Sequence, residues 1–369
     1  MVINHFLGGC VLFWGVYMKL LSYDAIDIDD SILFFCNSFN ALIEYDINKQ
    51  KSHIIDIMPE EEIIAQALVS QLIQIDGKII LIPLNAKKIW LYDINTKLWS
   101  GIDLYDSDKK LKFLKAVYHE RYIYILPCNY NYLVKLNVTN WTIDYLDIFD
   151  KLPIEGKCNC HQTIFRSDIA ICNQVIFAAS CFADVVLKYN MRDGKYEWIK
   201  LKANDKGFSG IAFDGIYYWI SDKVDTSRIY RWDGENKCEE IAIANDHGGF
   251  IRGITVCNNS IYVKKNNETV VLGINDVSNE QKLEKPLIFM KIDFEDKIFK
   301  QGLGYDGEYF WSENGKERNV KFTLDADDKR LFFGKRLSCF IEKKYIRNEI
   351  FKENEILQLR DFVEDITDY

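Results

Sequence analysis

Proline is scarce in this chain, five in 369 residues, and histidine is equally rare. So few prolines, beside 48% hydrophobic and 14% aromatic residues, exclude a disordered protein and leave ample material for a packed core. An excess of positive charge is also missing. The 46 Lys and Arg stand against 55 Asp and Glu, a formal net charge of -9, which argues against general affinity for nucleic acid or anionic membrane and leaves room only for a local basic patch. Long apolar runs are absent apart from Phe6 to Tyr17. That run is too short to span a bilayer and lacks the preceding Lys or Arg of a secretion signal. Residues 1–17 therefore read as an apolar extension, with an uncleaved anchor as the alternative. The ten cysteines lie in strand-like segments such as Leu33-Phe34-Phe35-Cys36 instead of a short loop-rich chain, so a reducing, cytoplasmic setting is expected.

What the sequence does contain is an internal repeat. It is clearest from Phe208 to Ile241, where a short strand, Ser209 to Phe213, meets a turn at Asp214-Gly215 and a second strand, Ile216 to Ile220, follows. Asp-Gly is the strongest hairpin signal a sequence carries, because both central residues of a type I′ turn need positive φ. Equivalent turns are expected at Asp29-Asp30, Asp76-Gly77, Glu120-Arg121, Cys172-Asn173, Asn258-Asn259 and Asp306-Gly307. A second anchor ends each third strand: Asp46, Asp93, Asn137, Asn190, Asp233, Asn275 and Asp325, mostly after an aromatic or aliphatic residue. These anchors lie 42 to 53 residues apart, the spacing of radial four-stranded blades. Period-2 alternation with β-branched and aromatic bias excludes helical repeats of similar length.

The segments Tyr45-Asp46-Ile47-Asn48 and Leu91-Tyr92-Asp93-Ile94-Asn95-Thr96-Lys97-Leu98-Trp99 resemble the end of a kelch repeat, in which an aromatic-Asp pair turns into a fourth strand carrying Trp. Trp141 and Trp198 sit similarly. The chain departs from kelch in lacking a Gly-Gly doublet at the end of the second strand, where it has Ile82-Pro83, Ser221-Asp222 or Lys264-Lys265. The resemblance implies a fold and a tendency to bind partners, and it carries over no catalytic residue. The expected architecture is all-β: a divergent kelch-like, seven-bladed β-propeller over residues 18–335, followed at 336–369 by a helix and an acidic tail. That helix, Asn348 to Ile366, carries Ile356, Leu359, Val363 and Ile366 on one stripe.

Aligning the units on the tight turn places Asp24, Gln71, Lys115, Ser167, Ser209 and Gln301 at one point near the start of each innermost strand, with Arg252 or Gly253 in the sixth unit. This predicts a polar ring at the mouth of the channel. Lys115, Arg166 and Arg252 would make it cationic enough to hold a carboxylate, a phosphate or an acidic peptide. The plainer alternative is that these charges pair with Asp24 and Asp168. His161, in Cys158-Asn159-Cys160-His161, and His247 fall in loops on the same face and are the only candidates for a general base. One Cys-x-Cys-His cluster without a second pair does not make a zinc site, and no metal or cofactor is called for. The G-x-S-x-G, Walker A, dinucleotide and H-E-x-x-H signatures are all missing. The leading expectation is a non-enzymatic interaction protein that binds a peptide, protein or anionic ligand at its loop face. The alternative is a propeller lyase, cyclase or hydrolase acting on an anionic small molecule or modified peptide. Carbohydrate recognition by exposed aromatics stands third.

Overall fold

The computed structural model describes residues 18–19 and, with short interruptions, 22–324; for 282–324, Arg252 and a few others it describes the backbone alone. The terminal calls, on residues 1–17 and on the Asn348–Ile366 helix, lie outside the described residues.

The strands form six four-stranded sheets and one six-stranded sheet. In chain order they span residues 25–56, 69–103, 113–146, 170–200, 208–242, 251–283 and 289–321, each an antiparallel meander. Thr323–Leu324 and Met18–Lys19 enlarge the first: Leu324 pairs in parallel with Ser52 and antiparallel with Met18.

Why the sheets stack follows from their second strands. Successive strand side chains point to opposite faces, so a strand buried at every position needs a neighbour on both sides. In Lys78–Pro83, Ile79 and Leu81 join an apolar cluster with Phe35, Leu42 and Met58 of the preceding unit. Ile80 and Ile82 join Phe113, Ile123 and Val134 of the next. Tyr122–Pro127 repeats the division, with Ile123 and Ile125 facing back and Tyr124 and Leu126 forward. Five such clusters fill the spaces between consecutive sheets from the first to the sixth. Sheets stacked face to face in chain order, each with its first strand innermost, make a β-propeller.

A chain of backbone hydrogen bonds links the second sheet to the fifth. Leu84 N–H donates to Leu68 O, Lys112 N–H to Leu84 O, Cys128 N–H to Lys112 O, Ile164 N–H to Cys128 O and Cys181 N–H to Ile164 O, each 2.7–2.8 Å. Phe208 N–H then donates to Ser180 O at 2.7 Å. Bonds within a sheet thus alternate with bonds to the next sheet.

The third-strand anchors act locally. The carboxylate or amide oxygens of Asp46, Asp93, Asn137, Asn190 and Asp233 accept backbone N–H groups two or three residues on, at 2.8–3.0 Å. These are Asx turns, which is why Asp or Asn recurs there. Asp76-Gly77 is the expected two-residue hairpin, with φ of 47° and 74°.

Three expectations are corrected. The two-residue turn of the fourth sheet is Asn173-Gln174, both at positive φ, since Cys172 pairs with Val175 inside the sheet. In the fifth sheet Phe213 pairs with Tyr218, so Asp214 to Tyr217 form a four-residue turn and the second strand starts two residues later than expected. In the last sheet Ile298–Gln301 is the second strand and Glu308–Glu313 the third, so Asp306-Gly307 falls between those two and Leu324 belongs to the first sheet.

Candidate functional site

The predicted ring is built at a shared irregularity. In the second, third, fifth and sixth sheets the innermost strand shifts register after its first residue, leaving Ser70, Leu114, Ser209 and Arg252 as the extra residue of a β-bulge. The residues that follow, Gln71, Lys115, Gly210 and Gly253, are therefore equivalent. Counting back from the hairpins puts Asp24 and Asp168 at the same place in the first and fourth sheets.

An innermost strand is an edge strand, with one row of backbone N–H groups facing the channel. The ring side chains supply acceptors to that row. Asp24 Oδ2 accepts Leu72 N–H of the second sheet at 2.9 Å, and Gln71 Oε1 accepts Ala116 N–H of the third at 2.7 Å. In each case the side chain reaches one sheet onward, to the residue just past the next ring position.

Asp168 reaches further. Its backbone carbonyl takes Ile211 N–H of the fifth sheet at 3.3 Å, and its carboxylate crosses to the sixth. There Oδ2 accepts Ile254 N–H at 2.7 Å, and both oxygens lie 3.2 Å from Lys264 Nζ. Lys264 is 1% exposed and Asp168 10%, so this is a buried ion pair. Two glycines make room for it. A Cβ on Gly210 would lie 2.8 Å from Asp168 Cβ, and one on Gly253 only 1.8 Å from Oδ2.

The other predicted residues are dispersed. Ser209, the bulged residue, is fully buried and shares hydrogen bonds with Ser221 Oγ at 2.9 Å and the Asp222 carbonyl at 3.1 Å. Lys115 is half-buried at its ring position. Arg166 is also half-buried, and its Nη1 donates to Ile251 O of the sixth sheet at 3.3 Å. Arg252 is placed by its backbone on the bulge. Gln301 ends the second strand of the last sheet, opposite Phe289 and Tyr309, instead of starting the innermost one. Ser167, His161, His247, Cys158 and Cys160 lie outside the described residues.

Of the two alternatives for the sixth unit, Gly253 holds the ring position and Arg252 the bulge; sequence reasoning missed Asp168 as a ring member, together with Lys264 and Gly210. The signal was a glycine at the ring position in two consecutive units, which the longer turn at Asp214 displaced by one residue. It also missed Lys112. This lysine is fully buried between the second and third sheets, and its Nζ donates to the carbonyls of Lys109 at 2.6 Å and Asn85 at 3.3 Å. Burial pushes its pKa down to about 8.

Among the described ring residues the side chains offer hydrogen bonds and charge. Cys128 and Cys181 are buried along the chain of backbone bonds, and desolvation pushes the Cys128 thiol up to about 12 and that of Cys181 in the same direction. Among the described residues no three His, Cys, Asp or Glu side chains form a group that could hold a metal ion.

No family model matches the chain, and no curated protein matches it in sequence. Solved structures do resemble it. The computationally designed Ika8 protein aligns at 8% identity with a TM-score of 0.55, covering 84% of this chain and 90% of that one. The extracellular domain of the putative one component system BT4673 from B. thetaiotaomicron aligns at 12% identity and a TM-score of 0.55 over 85% of this chain. The alignment spans 48% of the length of that second chain. At such identities the likeness shows the fold alone.

Proposed function

We propose that the chain is a seven-bladed, kelch-like propeller working as a non-enzymatic interaction protein, which grips an acidic segment of a peptide or protein partner on its loop face. The observation that carries this reading is the asymmetry of the two faces. On one, the described hairpins between first and second strands close in two to four residues. On the other, the first six sheets are joined by residues 57–68, 104–112, 147–169, 201–207 and 243–250, connections longer than those hairpins, on a stack whose second to fifth sheets are bonded backbone to backbone. Long loops on a rigid scaffold are where recognition resides in such folds. Lys115, Arg166 and Arg252 stand at the inner ends of these loops and supply the positive charge for an acidic partner.

The test is titration of the full chain with glutamate-rich and lysine-rich fluorescent peptides. The glutamate-rich peptide should bind, and the triple variant K115E/R166E/R252E should weaken it by about tenfold or more. Unchanged affinity in the variant removes the cationic mouth from the account.

A further inference from the structure

Lys264 stands where a lysine is costly. It lies in the second strand of the sixth sheet, opposite Gly253, and is 1% exposed. A buried ammonium needs acceptors. Lys112, another buried lysine, finds them in two backbone carbonyls of its own surroundings. Lys264 instead receives a carboxylate that starts two sheets away: both oxygens of Asp168 lie 3.2 Å from its Nζ, and Oδ2 also accepts Ile254 N–H at 2.7 Å. In the first two units the ring side chain reaches only one sheet onward. Asp168 passes the fifth, where the ring position is Gly210, and a Cβ there would come within 2.8 Å of Asp168 Cβ.

The half of this contact that belongs to the sixth sheet is complete without Asp168. It consists of the Lys264 ammonium, the Ile254 N–H and the space over Gly253, where a Cβ would fall 1.8 Å from Oδ2. A charge, a directed donor and room for two oxygens together fit a carboxylate. Arg166 borders the same strand end, its Nη1 donating to Ile251 O at 3.3 Å. The carboxylate at the matching end of the fifth sheet, Asp222, is engaged within its own sheet, by Arg228 Nε at 3.2 Å and Tyr230 Oη at 2.9 Å. Of the ion pair, Asp168 is the outer member, 10% exposed against 1%. It can therefore turn out to solvent while Lys264 stays. Exchanging one carboxylate for another keeps the charges of the site unchanged, and the displaced side chain regains water, so the exchange is close to balanced.

We propose that the sixth sheet carries a carboxylate-binding site, formed by Lys264, Ile254 N–H and Gly253, which Asp168 occupies as a built-in competitor and which a glutamate or aspartate of an acidic partner takes over. The acidic partner rests on the loop-face reading; the site rests on the contacts of Lys264 and Ile254. Asp168 then sets a threshold, because only a segment with further contacts, such as one at Lys115, displaces a carboxylate already tethered in place.

The experiment removes the competitor. Sodium formate, against equal sodium chloride, should raise the unfolding midpoint of Asp168→Ala by about 2 °C or more, whereas the wild type and the double variant Asp168→Ala/Lys264→Met should not respond. The glutamate-rich peptide should bind Asp168→Ala about tenfold tighter than the wild type, since a site open about a tenth of the time or less loses affinity in proportion. If Asp168→Ala does not fold, Asp168→Asn carries both measurements, because the amide still accepts Ile254 N–H and competes without charge. No formate response in the single variant, or an equal response in the wild type or the double variant, overturns the site. A formate response with unchanged or weaker peptide affinity overturns the exchange, since the partner then does not reach Lys264. A formate response with peptide binding to neither protein overturns the acidic partner and supports the carboxylate site by itself.

Discussion

Lys112 and Lys264 are both buried to within one percent of full coverage, yet they are accommodated in opposite ways. Lys112, where the second sheet joins the third, has two backbone carbonyls for partners, and its ammonium is held below its ordinary pKa by desolvation. Lys264, in the sixth sheet, meets the carboxylate that Asp168 extends across the fifth. The surrounding latches differ in the same sense. In the first two sheets the ring side chain satisfies one N–H of its neighbour, whereas Asp168 ties three sheets together through a carbonyl, a carboxylate and an ion pair. A buried charge can be housed locally by backbone dipoles or at long range by an opposite charge. Only the second way makes the ring dependent on distant residues.

The sharpest way to break this contrast is Lys264→Met. With Lys264 gone, the Asp168 carboxylate stays buried without that counter-charge, and the loss should be about 3 kcal/mol in urea unfolding. A loss below about 0.5 kcal/mol would mean that water reaches the site and that the pair is not buried.

Lys112→Met should act through pH instead. The wild-type group titrates near 8 when folded and near 10.5 when unfolded, so between these values the unfolded chain binds more protons and stability rises with pH. The wild type should therefore gain stability relative to the Met variant between pH 8 and 9.5. Parallel pH profiles for the two proteins would show that the ammonium is not desolvated. The smallest effect belongs to a single-step latch: Gln71→Ala leaves one buried N–H, that of Ala116, without its acceptor and should cost about 1–2 kcal/mol in thermal unfolding. A cost as large as that of Lys264→Met would erase the distinction between the two halves.

Much of this organisation could be read from the chain. The Asx turns at Asp93, Asn137, Asn190 and Asp233 are visible because the side chain bonds its own backbone two or three residues on. Asp76-Gly77 is legible for a similar reason, since its backbone angles are a local demand. The Asp214-Gly215 dipeptide was misleading. There the Asp side chain, by bonding Ile216 and Tyr217, stabilises a longer turn that the same two residues also permit. The last unit was divided wrongly because its anchor, Asp325, follows a strand that pairs with the first sheet, and nothing local distinguishes that strand from one pairing within its own unit.

The sequence alone determined the strand repeats and the sharp turns, because alternation and turn chemistry act over a few residues. It also supplied the count of charges. Their arrangement was decided by tertiary structure: Asp168 meets Ile254 and Lys264 from 86 and 96 residues away, through space that Gly210 and Gly253 leave open. Such a contact leaves no periodic trace in the chain. It depends on where the innermost strands converge, and that is fixed only once the sheets are stacked.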